Sequence, residues 1–142
     1  MTPELEKRLL QVAIGKASLV PILAGGWAVW RGAAMLGGGN VDLDSHFRYL
    51  SGLLLGIGLA FAATIPKIET QTSAIRLLTL IVVCGGLARA WGLFHAVPSI
   101  AMIGGLIMEL IVTPVLCLWQ TRLARRFARH ARMSPSSIDT SP

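Results

Sequence analysis

The chain has 142 residues, 54% of them hydrophobic and only 14% charged, with a mean hydropathy of +0.65. A water-soluble domain carries roughly a quarter of its residues charged, so a soluble globular fold is excluded. The net charge of +6 does not point to nucleic acid either. The arginines stand at the ends of apolar stretches and in one C-terminal run, and no aromatic-basic binding stripe accompanies them.

The first element opens at Thr2-Pro3-Glu4, which has the pattern of an N-cap, a proline in the first turn and an acid at the positive end of the helix dipole. A helix is expected to start there near an interface and run into a first span over residues 12–34, interrupted by Pro21 and Gly25-Gly26. No cleavable signal peptide is expected, since acids occupy the place of a basic leader. Gly37-Gly38-Gly39-Asn40 reads as a flexible loop. A second span follows over residues 47–65 and is closed by Pro66; Lys67 to Thr72 forms a polar connection. The third span covers residues 75–94, a tight turn runs from His95 to Ser99, and the fourth span covers residues 100–119. Each stretch has about the 20 residues needed to cross hydrocarbon. Gln120 to Arg132 alternates arginines with apolar residues and is expected to continue the last helix along the membrane surface, its arginines on anionic headgroups. Residues 133–142, rich in Ser and Pro, read as a disordered tail. The expectation is an all-α fold: one domain over residues 1–132, a transmembrane four-helix bundle with antiparallel neighbours and a basic C-terminal interfacial helix.

Basic residues set the orientation. With both termini cytoplasmic, Lys7, Arg8, Lys16, Lys67, Arg76, Arg122, Arg125, Arg126, Arg129 and Arg132 lie inside, and only Arg31, Arg48 and Arg89 lie toward the outside. Trp27, Trp30, Tyr49, Trp91 and Phe94 then mark the outer interface and Trp119 the inner one.

Several segments stand in a recognisable order. Asp44-Ser45-His46-Phe47-Arg48-Tyr49-Leu50-Ser51-Gly52 opens the second span, Gly85-Gly86-Leu87-Ala88-Arg89 lies in the third, and Glu109-Leu110, Thr113-Pro114 and Trp119-Gln120 lie in the fourth. This set resembles the domain-of-unknown-function 4345 family of small bacterial membrane proteins with four predicted helices. The resemblance implies a bacterial inner-membrane location and carries no established activity or catalytic residue.

A charge within a span costs about 2.5–3.5 kcal/mol on insertion scales, which singles out Arg89 and Glu109. Their distances from the 95–99 turn differ by only about four residues, roughly 6 Å along the helices, within reach of an arginine side chain. Both share faces with small residues, Arg89 with Gly85, Gly86 and Gly92, and Glu109 with Gly105 and Thr113, so both are expected to point into the bundle. Pro114 removes the hydrogen bond to the Leu110 carbonyl and is expected to kink the helix beside Glu109. Gly52 and Gly56 fall on one face with Arg48 and read as a packing seam within the bundle or of a homodimer.

Arg31, Arg48, Arg89, Glu109 and His95 are the expected ligand-binding set, a polar pocket in the outer half of the bundle with Asp44 and His46 near its rim. Three arginines facing one intramembrane acid would favour a lipid-like or anionic small molecule. The alternatives are a buried ion pair that fixes helix register, a surface for a partner subunit, and an enzyme using Glu109 as general acid or base on a lipid-like substrate with Arg89 beside it. Transport would require an oligomer, because four helices leave little room for alternating access. No cofactor or metal is expected. Cys84 and Cys117 lie mid-span without a C-x-x-C spacing, and His46 and His95 lack the facing partner that haem ligation needs. The lipid bilayer is the expected partner.

Overall fold

A computed structural model describes residues 2–94, 97 and 99–133, with side chains through residue 130. It contains α1 (Pro3–Arg31), α2 (Val41–Thr64), α3 (Thr72–Trp91), α4 (Ile100–Ile107) and α5 (Thr113–Met133). A π turn, Met108–Val112, joins α4 to α5, so these two form one continuous rod. Short 3-10 turns follow α1, α2 and α3. Met133, the first residue of the expected tail, ends α5; the rest of that tail and most of the His95–Ser99 turn lie outside the described residues.

α1 continues unbroken through Pro21 and Gly25-Gly26. At 29 residues it is about 43 Å long and exceeds the roughly 30 Å of hydrocarbon. The loop after it needs glycine, because Gly37 and Gly38 adopt φ of 88° and 95°. α2 starts six residues earlier than its hydrophobic run suggests. Asn40 accepts a hydrogen bond from the Leu43 N–H at 2.8 Å, and Asp42 and Asp44 lie in the first turn. Ser99 caps α4 in the same way, accepting from the Met102 N–H at 3.2 Å.

The rods pair as two antiparallel hairpins. In the first, a Cβ on Gly25 would lie 2.7 Å from the Leu55 backbone nitrogen and 2.8 Å from the Ser51 carbonyl, and one on Gly58 would lie 3.0 Å from the Ile22 nitrogen. Residue numbers fall along α2 as they rise along α1, as an antiparallel pair requires. The close-approach seam is therefore Gly25 and Gly58. The Gly52–Gly56 pair is not the seam, since Gly56 meets nothing within 4 Å and Gly52 only the end of Val29. In the second hairpin a Cβ on Gly86 would lie 2.9 Å from the Glu109 Cβ, so α3 rests directly against the π turn.

The hairpins join at one end, called proximal here. Leu10, Ile14, Ile68, Ile75 and Leu123 form the buried core, with Phe61, Leu116, Trp119 and Phe127 packed on it. Gln120, fully buried, donates to the Ile68 carbonyl at 2.7 Å and to the Thr72 hydroxyl at 3.0 Å. Glu6 of α1 accepts from Trp119 Nε1 at 3.2 Å and from Arg126 at 2.6 Å. Lys7 bonds Glu69 at 2.9 Å and stands over the Phe127 ring. The apolar face of the basic C-terminal segment is thus spent on α1 and the 65–72 connection. Leu123 and Phe127, expected to lie on the membrane surface, bury protein instead, while Arg122, Arg125 and Arg129 stay exposed.

Elsewhere many large apolar side chains point outward: Leu23, Trp30, Leu80, Leu87, Ile111 and Leu118 are all exposed. All four rods are long and apolar enough to cross a membrane. Lipid is the solvent that accepts such a surface, and a helix satisfies its own backbone there.

Candidate functional site

Toward the distal end, where the 37–40 loop lies, the hairpins are tied internally but not to each other. α1 packs along α2, and α3 packs against the π turn and α5. Among the described residues the hairpins meet through α1 with α5 and α2 with α3. Between them lies a cavity of about 900 Å³ lined from all four rods. Its floor, above the proximal core, is Ile14, Phe61, Ile75, Leu116 and Cys117; Pro21, Leu54 and Ile57 form one wall, and Gly85, Gly104 and Met108 the other.

Arg89 and Glu109 are the charged residues of this lining. They form a two-pronged ion pair: Arg89 Nε donates to Glu109 Oε2 at 3.1 Å, and Arg89 Nη2 to Oε1 at 2.9 Å. This fork-on-carboxylate geometry is the strong form of the interaction. The side chains are 41% and 17% exposed, respectively, so the pair faces the cavity rather than being sealed in protein. Gly86 makes it possible by letting α3 approach Glu109. Gly105 flanks the guanidinium, and its Cβ position lies 3.5 Å from Arg89 Nη1.

The π turn carries Glu109. The turn ends two residues before Pro114, whose ring cannot accept a normal α-helical turn above it. Widening by one residue absorbs the proline without ending the rod, and the Thr113 hydroxyl donates to the Met108 carbonyl at 2.7 Å. Such widened turns recur at functional sites.

The other expected site residues lie apart from the pair. Arg48 donates to the Val29 and Trp30 carbonyls at 2.5 and 3.2 Å and bonds Asp44 at 2.7 Å. Asp44 in turn accepts from the Ala33 N–H at 2.7 Å. This cluster closes the C-terminal end of α1, where a cation complements bare carbonyls and the dipole. A Cβ on Gly32, at φ 60°, would overlap it. Arg31 lies over the Trp27 ring at 5.7 Å, His46 is exposed on α2, and His95 lies outside the described residues. The expected surplus of three arginines over one acid therefore does not form. Among the described residues the cavity lining holds one arginine balanced by one glutamate.

The remaining polar lining is quiet. The Ser18 and Ser51 hydroxyls each donate to a carbonyl one turn back in their own helix, at 2.7 Å. Among the described residues no three His, Cys, Asp or Glu side chains come together as a metal-binding group. The apolar floor, and Cys117 within it, had no local signal in the sequence, because they become a cavity only when two hairpins stand apart.

Fold and site define an integral membrane protein: four spans around an apolar cavity with one intramembrane ion pair. The chain belongs to the family described as Domain of unknown function (DUF4345), which it matches over residues 9–120. That region reaches into all four rods, covering α2 and α3 in full, and contains both members of the pair. No curated protein and no solved structure matches the chain.

Proposed function

We propose that this protein binds a lipid-like molecule in the cavity between its hairpins, with an apolar chain on the Phe61–Leu116 floor and a polar end at Arg89 and Glu109. The observation that carries the reading is a cavity of about 900 Å³ whose apolar lining is broken by one accessible ion pair. Its volume is at the upper end of the roughly 300–1,000 Å³ of small-molecule sites. From Glu109 to Cys117 is eight residues of helix, about 12 Å, so the apolar floor lies well below the pair and suits a chain with a polar end.

The location that goes with this reading is a bacterial inner membrane with both termini cytoplasmic. The basic residues support it. Lys7, Arg8, Lys67, Arg76, Arg122, Arg125, Arg126 and Arg129 belong to the proximal segments, while Arg31, Arg48 and Arg89 lie distally. The cavity mouth then faces the outer leaflet, and a lipid from that leaflet enters head up.

Native mass spectrometry of the gently solubilised protein tests the binding. The expected result is a lipid adduct near one per chain that Gly104→Phe largely removes. Gly104 lines the cavity and its Cβ position meets nothing within 4 Å, so the ring fills the cavity without prying the helices apart. A folded wild-type protein without an adduct, or an adduct unaffected by Gly104→Phe, would overturn the reading.

A further inference from the structure

Resting on that reading, we infer that the ligand is a neutral lipid alcohol, an apolar chain ending in a free hydroxyl, rather than a fatty acid or an anionic phospholipid. The argument is charge balance at the pair. Arg89 is already matched by Glu109 through two hydrogen bonds. Arg48 is matched by Asp44 and held on the α1 carbonyls, and Arg31 lies on Trp27. An anionic head arriving at the pair would set two carboxylates, or a carboxylate and a phosphate, against one guanidinium in a medium of low polarity. One of the two anions would then be left without a partner, which is the costly outcome for buried charge. A cationic head meets the mirror problem against Arg89.

A neutral hydroxyl meets neither. Glu109 uses one lone pair on each oxygen for Arg89 and retains others as acceptors. Arg89 Nη1 makes no hydrogen bond among the described residues and stands beside Gly105, where no side chain covers it. A hydroxyl both donates and accepts, so it can give its proton to Glu109 and take one from Nη1 without breaking the fork. The other cavity hydroxyls do not compete, because Ser18, Ser51 and Thr113 have committed their protons to backbone carbonyls. The pair is therefore a preformed receptor for a group that is donor and acceptor at once and carries no charge.

Two photoactivatable probes of equal chain length, a diazirine-bearing hexadecanol and the corresponding fatty acid, test this on the full chain in phosphatidylcholine vesicles at pH 7.5, with labelled residues mapped by peptide sequencing. The expected result is labelling of the floor around Phe61 and Leu116 by the alcohol, roughly tenfold above the acid. Lipid-facing Leu87 and Leu118 should be labelled equally by both. In Glu109→Gln, which leaves the guanidinium unbalanced, the preference should invert toward the acid. Should that variant fail to fold, Gly105→Leu, which crowds Nη1 and keeps both charges, should lower alcohol labelling of the floor without raising acid labelling. Floor labelling by the acid equal to or above the alcohol in the wild type would overturn the alcohol assignment and leave lipid binding standing. Floor labelling by neither probe above the level at Leu87 and Leu118 would overturn both.

Discussion

Two adjacent glycines in α3 show how much a single Cβ decides. Gly86 faces the π turn, where an added carbon would lie 2.9 Å from the Glu109 Cβ and 2.8 Å from the end of Leu110. Gly85, one residue away, faces the cavity and meets nothing within 4 Å. Gly86→Ala should therefore cost about 1–3 kcal/mol through forced separation of α3 from the π turn. Gly85→Ala should be neutral or stabilising by about 0.5–1 kcal/mol through helix propensity. Thermal unfolding in one detergent compares them, and equal effects would contradict the packing assigned to Gly86. At the neighbouring pair, Glu109→Gln leaves Arg89 without its counter-charge. The loss should approach about 3 kcal/mol, the lower end for a broken buried pair because the cavity side relieves part of the desolvation. Arg89→Met with Glu109→Met should regain much of it; a double variant as unstable as the sum of the singles would mean that the two charges act independently.

Among the elements, the connection between α2 and α3 shows how the proximal end is held. Glu69 lies outside the spans. Burial pushes its carboxyl up, but its own backbone N–H, the Lys7 hydrogen bond and the Lys7 charge together bring it below the usual carboxylate range. A lowered folded-state value means the contribution is fully present above the unfolded carboxylate value, about 4.3, and is lost as pH falls through the folded one. Wild-type protein should thus lose more thermal stability than Glu69→Gln between pH 6 and the acid side of that range, roughly pH 3. Parallel loss in both would show that the Lys7 contact contributes nothing. α5 makes a related point. Its alternation of arginine with apolar residues is legible, but the same pattern suits a membrane surface or a protein groove. Glu6, far away in sequence, decides it by accepting from both Trp119 and Arg126.

At the scale of the molecule, the two hairpins are fastened proximally and stand apart distally, so the cavity follows from where the core lies. With both termini cytoplasmic, a cysteine at Asp42 is reached by a membrane-impermeant maleimide from outside intact cells, and one at Lys67 only after the membrane is opened. The background for both replaces Cys84 and Cys117 with alanine. Labelling of both positions from the same side would contradict four crossings with that orientation. The expected polar pocket is where reading by position failed. Arg31, Arg48 and Arg89 share a depth in the sequence, but depth along an axis does not give direction around it. Arg48 turns to the end of α1 and Arg31 to Trp27, which leaves the cavity neutral.

Hydrophobic length and the sparing use of charge determine, from the sequence alone, four membrane-length helices. The cost of an intramembrane charge likewise marks Arg89 and Glu109 as partners, because both effects depend only on residue type and spacing along a helix. The tertiary structure alone decides which face each rod turns to its neighbours. It places the seam at Gly25 and Gly58, buries Leu123 against α1, absorbs Pro114 in a π turn and leaves an apolar chamber beneath one balanced ion pair. Those outcomes depend on contacts between residues far apart in the chain, which local pattern does not encode.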